Sequence, residues 1–284
     1  MSTVSALVSN IRGLVTLPHV YLHISRLVDN PESSIANIAK GVSQDASFTL
    51  RLLRVANSAL YRVSSNIDTV AKAISIVGTA HLRNLALSMS VASSFAGLPN
   101  ELVSMENFWR HSLYCALTAR HLAKRMGRCD PDALFTAGLV HDIGELIIFN
   151  RLPEQARQAL MMVLESEDGI DVYQAERQVM GFDHGVVGGE LAKAWRLPSL
   201  LEACIAHHHD LAGGKKHRRA TALVHLANNA ALMAELDTVD PDNVPPIDPI
   251  AWERTGLTTD CMEHAVREAQ AEIAEAERLF TEAC

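Results

Sequence analysis

The chain has 284 residues, of which 48% are hydrophobic and 20% charged, and it carries a formal net charge of −8. That length allows one large domain or two modest ones with a sizeable core, and the composition excludes a disordered or fibrous chain. The acidic balance argues against a broad surface for phosphate backbones, which disfavours nucleic acid as a partner.

Helical periodicity dominates, and few segments have the alternation or β-branched density of a strand, so an all-α fold is expected. The opening residues, MSTVSALVSNIRGLVTLP, have no charged segment ahead of their apolar stretch and are interrupted by Arg12 and Pro18. No secretory signal is expected from them. Ser33 or Ser34 can cap a helix running to about Gln44, and Asp45 can cap the next. In that second helix Phe48, Leu52, Leu53, Ala56 and Leu60 recur at helical spacing, and Asn57–Ser58 reads as a terminator. Asp68 or Thr69 opens a third helix that ends near Gly78, and a fourth runs from about Thr79 to Phe95. The GLPNEL segment from Gly97 has turn chemistry and marks a domain boundary.

Longer helices follow. One runs from about Glu106 to Met126 and stops at Gly127, with His111, Cys115, Thr118 and Leu122 on one face. The next is expected over Pro131–Phe149, apolar almost all round and therefore central. Further helices are expected over Pro153–Asp168, Val172–Met180, His184–Trp195, Pro198–His208 and Arg218–Leu236. Gly185, Gly188 and Gly189 lack a strand-turn-helix setting and suit close helix packing. Lys215, Lys216, Arg218 and Arg219 form a basic loop, read as a solvated surface. From Val239 the stretch VDPDNVPPIDP is a proline-rich loop. A last amphipathic helix places Met262, Val266, Ala269, Ile273, Ala276 and Phe280 in a stripe that can pack on the domain or on a second subunit, as in a homodimer. The five cysteines show no paired spacing, so free thiols in a reducing cytoplasm are expected. No apolar run is long enough to span a bilayer.

Thirteen histidines occur, nine of them between His111 and His225. His141 and Asp142 sit inside LFTAGLVHDIGELII, where nearly every neighbour is apolar. A buried carboxylate needs a cation, an imidazolium or a hydrogen-bond network, because leaving it unpaired is costly. Glu145 lies one turn on and adds a second negative group to nearly the same face. A divalent ion would meet that need, and mixed His/Asp ligation suits Fe, Mn, Zn or Ni better than Ca. Adjacent in one helix, His141 and Asp142 project about a quarter-turn apart and can meet on one ion. His217 and His225 read as surface and packing residues.

The stretches DASFTLRLLRVANSALYR, FWRHSLYCALTARHLA, AGLVHDIGELII, ERQVMGFDHGVVGGELAKAWRLP, IAHHHD and VHLANNA, in this order and spacing, resemble the HDOD family, the HD-related output domains of bacterial signalling. The resemblance implies an HD-like helical core at residues 99–237. It also implies an additional N-terminal helical subdomain, which the GLPNEL turn bounds at 1–98; the proline-rich loop and C-terminal amphipathic helix take up 238–284. It implies a signal-transduction role beside receiver or cyclic-dinucleotide modules. By the pattern of the wider HD superfamily, His111, His141, Asp142, His184, His208 and His209 would be metal ligands, with His207 able to replace one of the last two. Asn228 stands where that pattern has a final aspartate, Glu145 where the HD-GYP phosphodiesterases have a lysine, and no GYP sequence follows HHHD. These departures favour a non-catalytic, cytoplasmic regulatory module with a degenerate metal site. The alternative is a metal-dependent phosphohydrolase acting on a nucleotide or cyclic dinucleotide.

Overall fold

A computed structural model describes residues 3–11, 19–58, 67–95, 102–166, 169–235 and 246–281. The GLPNEL turn, apart from its last residue, and most of the proline-rich stretch lie outside them. Every regular element among the described residues is an α-helix. In chain order these are α1 (Thr3–Ile11), α2 (His19–Asp29), α3 (Ile35–Val42), α4 (Ala46–Ala56), α5 (Val70–Val77), α6 (Thr79–Phe95), α7 (Met105–Met126) and α8 (Pro131–Val140). There follow α9 (Ile143–Arg151), α10 (Pro153–Glu165), α11 (Val172–Met180), α12 (His184–Ala194), α13 (Ser199–His207), α14 (Arg218–Glu235), α15 (Pro249–Thr255) and α16 (Thr259–Thr281). None of them is long and apolar enough to cross a membrane.

The chain divides into two compact units, Thr16–Ala96 with Ala274–Cys284, and Met1–Val15 with Gly97–Ile273. In the first, α2 packs on α3 and α6, while α5 packs on α3, α4 and α6. Local chemistry sets the helix starts, because a side-chain oxygen satisfies an otherwise unpaired amide of the first turn. Ser34 accepts from Asn37 N–H, Asp45 from Phe48 N–H and Thr69 from Lys72 N–H. Gly78 follows α5 at φ 85°, a left-handed value that favours glycine. Asn57 does more than end α4: its amide donates to the Ile67 carbonyl and accepts from the Ile67 amide, at 2.8 and 2.7 Å. Ile24, Leu52, Ile74, Leu82, Leu87 and Phe95 are fully buried.

In the second unit α7 lies against α8 and α14, and α12 lies between α9 and α13. α1, grouped with the N-terminal helices by the sequence reading, packs on α9 and α12. Glycines allow the close approaches. A Cβ on Gly138 would stand 2.8 Å from Ala116 Cα, and one on Gly188 or Gly189 would stand 2.6 Å from Ile205 Cγ2 or Ala206 Cβ. A Cβ on Gly144 would strike the His184 carbonyl. On the part of α16 in this unit, Met262, Val266, Ala269 and Ile273 are buried, as the stripe predicts; Ala276, in the first unit, is buried too, and the side chain of Phe280 lies outside the described residues. The short helix α15, capped by Asp248 and with a proline in its first turn, was not anticipated.

The single helix expected over Pro131–Phe149 is interrupted. α8 ends at Val140, α9 begins at Ile143, and the joint is the His141–Asp142 pair. Gly144→Ala is expected to destabilise the protein by about 3 kcal/mol, because the new methyl meets backbone that cannot swing aside. Chemical denaturation measures this; an unchanged midpoint would mean that α9 and α12 can separate at little cost.

Candidate metal centre

His141 keeps helical dihedrals, but Asp142 leaves them at φ −98°, ψ 14°. Aspartate is a strong helix-capping residue, yet Asp142, at the N-cap of α9, makes no side-chain cap. Its carboxylate is turned to four imidazoles instead. Oδ2 lies 2.9 Å from His141 Nε2 and 3.6 Å from His111 Nε2. Oδ1 lies 3.3 Å from His208 Nε2 and 3.4 Å from His184 Nε2. The pair thus sits at the interruption between α8 and α9.

Each histidine is held from behind. His141 Nδ1 donates to the Gly138 carbonyl at 2.8 Å, and His208 Nδ1 to the Ile205 carbonyl at 2.9 Å. Carbonyls only accept, so these Nδ1 atoms carry the proton and Nε2 faces inward. His184 Nδ1 meets the Glu176 carboxylate at 2.7 Å, and Glu176 also accepts from the His184 amide at 2.8 Å. His111 Nδ1 meets Glu235 at 3.3 Å. This is how metal-ligating histidines are oriented: an outer acceptor fixes the ring and its tautomer. His208 is tied once more, because its carbonyl accepts from His225 Nδ1 at 2.8 Å, while His225 Nε2 accepts from the Asp248 amide at 3.1 Å.

Electrostatics follow from burial among like and unlike charges. Burial works against a charged imidazole, but Asp142 outweighs it at His141, and Glu176 with Asp142 outweighs it at His184. Both are held well above the ordinary histidine value. Burial pushes His208 down to about 4, with its Asp142 contact opposing and the neighbouring His141 and His184 assisting. His209 also lies well below the ordinary value, through burial and the adjacent His208 and His184. Burial would raise Asp142, but the surrounding histidines hold it well below the carboxylate range. Burial and the Asp142 charge push Glu145 up to about 7.

Three sets of ligand-type atoms converge among the described residues, each within 4.8 Å: His111, His141 and Asp142; Asp142, His184, His208 and His209; and Glu145, Glu176 and His184. Asp142 belongs to the first two and His184 to the last two. All six residues singled out in the sequence are thus brought together. His207 is not among them; its side chain lies against Gly214. Asn228 stands between two of them, with Oδ1 2.8 Å from His111 Nε2 and 3.2 Å from His141 Nε2. Asp142 Oδ1 is covered and lacks a hydrogen bond of proper geometry, which is the condition a cation would relieve. The donor set fits a divalent transition metal. Glu176 and Glu235 were missed in the sequence. The one available signal for Glu176 is an acidic residue in helical register with Tyr173 and Met180.

Metal binding must displace protons from His141 and His184, so affinity is expected to rise with pH and binding to release protons. Calorimetry in buffers of different ionisation heat measures the release; none at neutral pH would refute this protonation pattern. Without metal, the raised values of His141 and His184 give a stabilisation fully present below about pH 6.5 and lost as pH rises through their folded values. Glu176→Gln is expected to lower metal affinity by about 10- to 100-fold.

Comparison with known proteins agrees with this architecture. The family profile described as HDOD domain matches residues 14–211. An HDOD domain protein of unknown function from Geobacter sulfurreducens has a solved structure that superposes with a TM-score of 0.74 at 25% identity, covering 99% of this chain and 98% of that one. A candidate phosphohydrolase from Shewanella amazonensis SB2B shares the fold at a TM-score of 0.68 and 24% identity, over 93% of this chain and 98% of that one. An uncharacterized protein of Treponema pallidum (strain Nichols) is 25% identical over 211 residues, 73% of this chain. The matched region spans 40% of that curated relative's length. With its helical fold and the family match across more than half its length, the chain belongs to the HDOD family.

Proposed function

We propose that this chain is a non-catalytic signal-transduction output module that keeps a transition metal (Fe, Mn, Zn or Ni) as part of its framework. It acts through contacts with signalling proteins, for which receiver or cyclic-dinucleotide modules are the candidates. A divalent ion bound here would supply positive charge and would acidify a coordinated water. Phosphate chemistry also needs a cationic approach for the anionic substrate and a full set of charged ligands.

The approach to the centre carries the argument. A cavity of about 540 Å³ opens beside His111 and Asp142, and its charged lining is Glu145, Glu235 and Arg110. Asp142 and Glu235 oppose the entry of a phosphodiester, Glu145 adds to them as far as it is ionised, and one arginine does not reverse that balance. The neutral Asn228 amide between His111 and His141 leaves the ligand set short of one negative charge.

A specific observation favours a second reading, a metal-dependent phosphohydrolase acting on a nucleotide or cyclic dinucleotide. Glu145, pushed up to about 7 by burial and by Asp142, is suited to exchange a proton at neutral pH.

Metal analysis of the purified protein, joined to a turnover screen against cyclic dinucleotides and nucleotide phosphates, separates the two. The expected result is bound metal and no turnover. Turnover that disappears in His141→Ala would overturn the non-catalytic reading. Asn228→Asp is expected to tighten metal binding by about tenfold, because it restores a charged ligand.

A further inference from the structure

The basic loop after α13 does not stand alone as a solvated surface. With residues remote in sequence it lines a second cavity, of about 770 Å³, whose walls include Arg128, Lys215, Arg218, Arg219 and Arg254. Five cationic side chains there face two carboxylates, Asp130 and Glu253, in a chain whose net charge is −8. The Asp130 side chain is engaged in capping α8 through the Asp132 amide.

Arg254, on α15, differs from the other four. Those are exposed, whereas Arg254 is only partly so. Its Nε and Nη1 are covered and have no hydrogen-bond partner among the described residues. Covering guanidinium N–H groups without acceptors is costly, and native structures normally satisfy them. Burial and the neighbouring Arg218 also act against its charge. An anion in the cavity would compensate the charge of this guanidinium, beside which, among the described residues, only Asp248 and Glu253 now act in its favour.

The backbone adds donors. Arg218, Arg219 and Ala220 form the first turn of α14, where amides lack partners within the helix. His217, immediately before them, has φ 49° and turns its ring to Ser199, with Nε2 2.9 Å from the hydroxyl oxygen. It therefore does not cover the helix end. Forked guanidinium donors, a lysine and helix-start amides together match phosphate oxygens. The volume lies in the range of small-molecule sites.

We propose that this cavity binds a small ligand bearing a di- or polyphosphate group, held by Arg254 at its base and by Arg218 and Arg219 at its rim. Asn228 lies ten positions beyond Arg218 on α14, about 15 Å along the helix. The site is thus distinct from the metal centre and does not depend on whether that centre is catalytic.

The test is calorimetric titration of the full chain with inorganic pyrophosphate, a nucleoside triphosphate and a short DNA duplex. Saturable binding of pyrophosphate or of the triphosphate is expected, weakened by about 10- to 100-fold in Arg254→Gln, with metal content unchanged. The double variant Arg218→Gln, Arg219→Gln alters only exposed side chains and is expected to weaken the same binding. Equal affinity for the two probes points to an inorganic phosphate group as occupant; tighter binding of the triphosphate points to a nucleotide. Either supports the site. No saturable binding at millimolar concentration, unchanged affinity in both variants, or binding of DNA alone would overturn it.

Discussion

The second unit is organised around one electrostatic demand, the negative charge of Asp142. The carboxylate is buried at the joint of α8 and α9, with four imidazoles directed at it from α7, the end of α8, the start of α12 and the end of α13. A charge that far from water must be balanced, and here protonated histidines or a metal ion can do it. The outer contacts follow from the same demand. Glu176, Glu235 and the Gly138 and Ile205 carbonyls hold the rings so that Nε2 faces inward. The glycines at 144, 188 and 189 let α9, α12 and α13 come close enough for the histidines to converge.

Local chemistry was legible in the sequence and tertiary chemistry was not. Ser34, Asp45, Thr69, Gly78 and Gly127 mark helix ends through bonds to residues no more than four away, so the elements they bound fell close to expectation. The break at His141–Asp142 was not foreseen, because an apolar run reads as continuous helix. It depends on a capping residue whose side chain is diverted to partners far along the chain. The six candidate ligands could be named from motif order. Their supports could not, since Glu176 and Glu235 acquire meaning only when α11 and α14 are folded against α12 and α7. The start of α15 had a readable signal, the Asp248–Pro249 pair, concealed within a stretch read as loop.

The same limit applies to the cationic cavity. Lys215, Arg218 and Arg219 are adjacent in sequence and look like an ordinary solvated loop. Arg128 comes from the α7–α8 connection and Arg254 from α15, and only the fold adds them. A net charge of −8 describes the average surface and not its local features.

His225 gives α15 a mechanical role. Both ring nitrogens are used: Nδ1 grips the backbone of His208, and Nε2 receives the amide of Asp248, the residue that caps α15. An imidazole is rigid, so the two bonds act as a short strut between a ligand position and the first turn of a neighbouring helix. A displacement of that helix must either strain His208 or break the strut. The strut thus joins His208, one of the candidate ligands, to the helix that carries Arg254, so the positions of the two are mechanically linked.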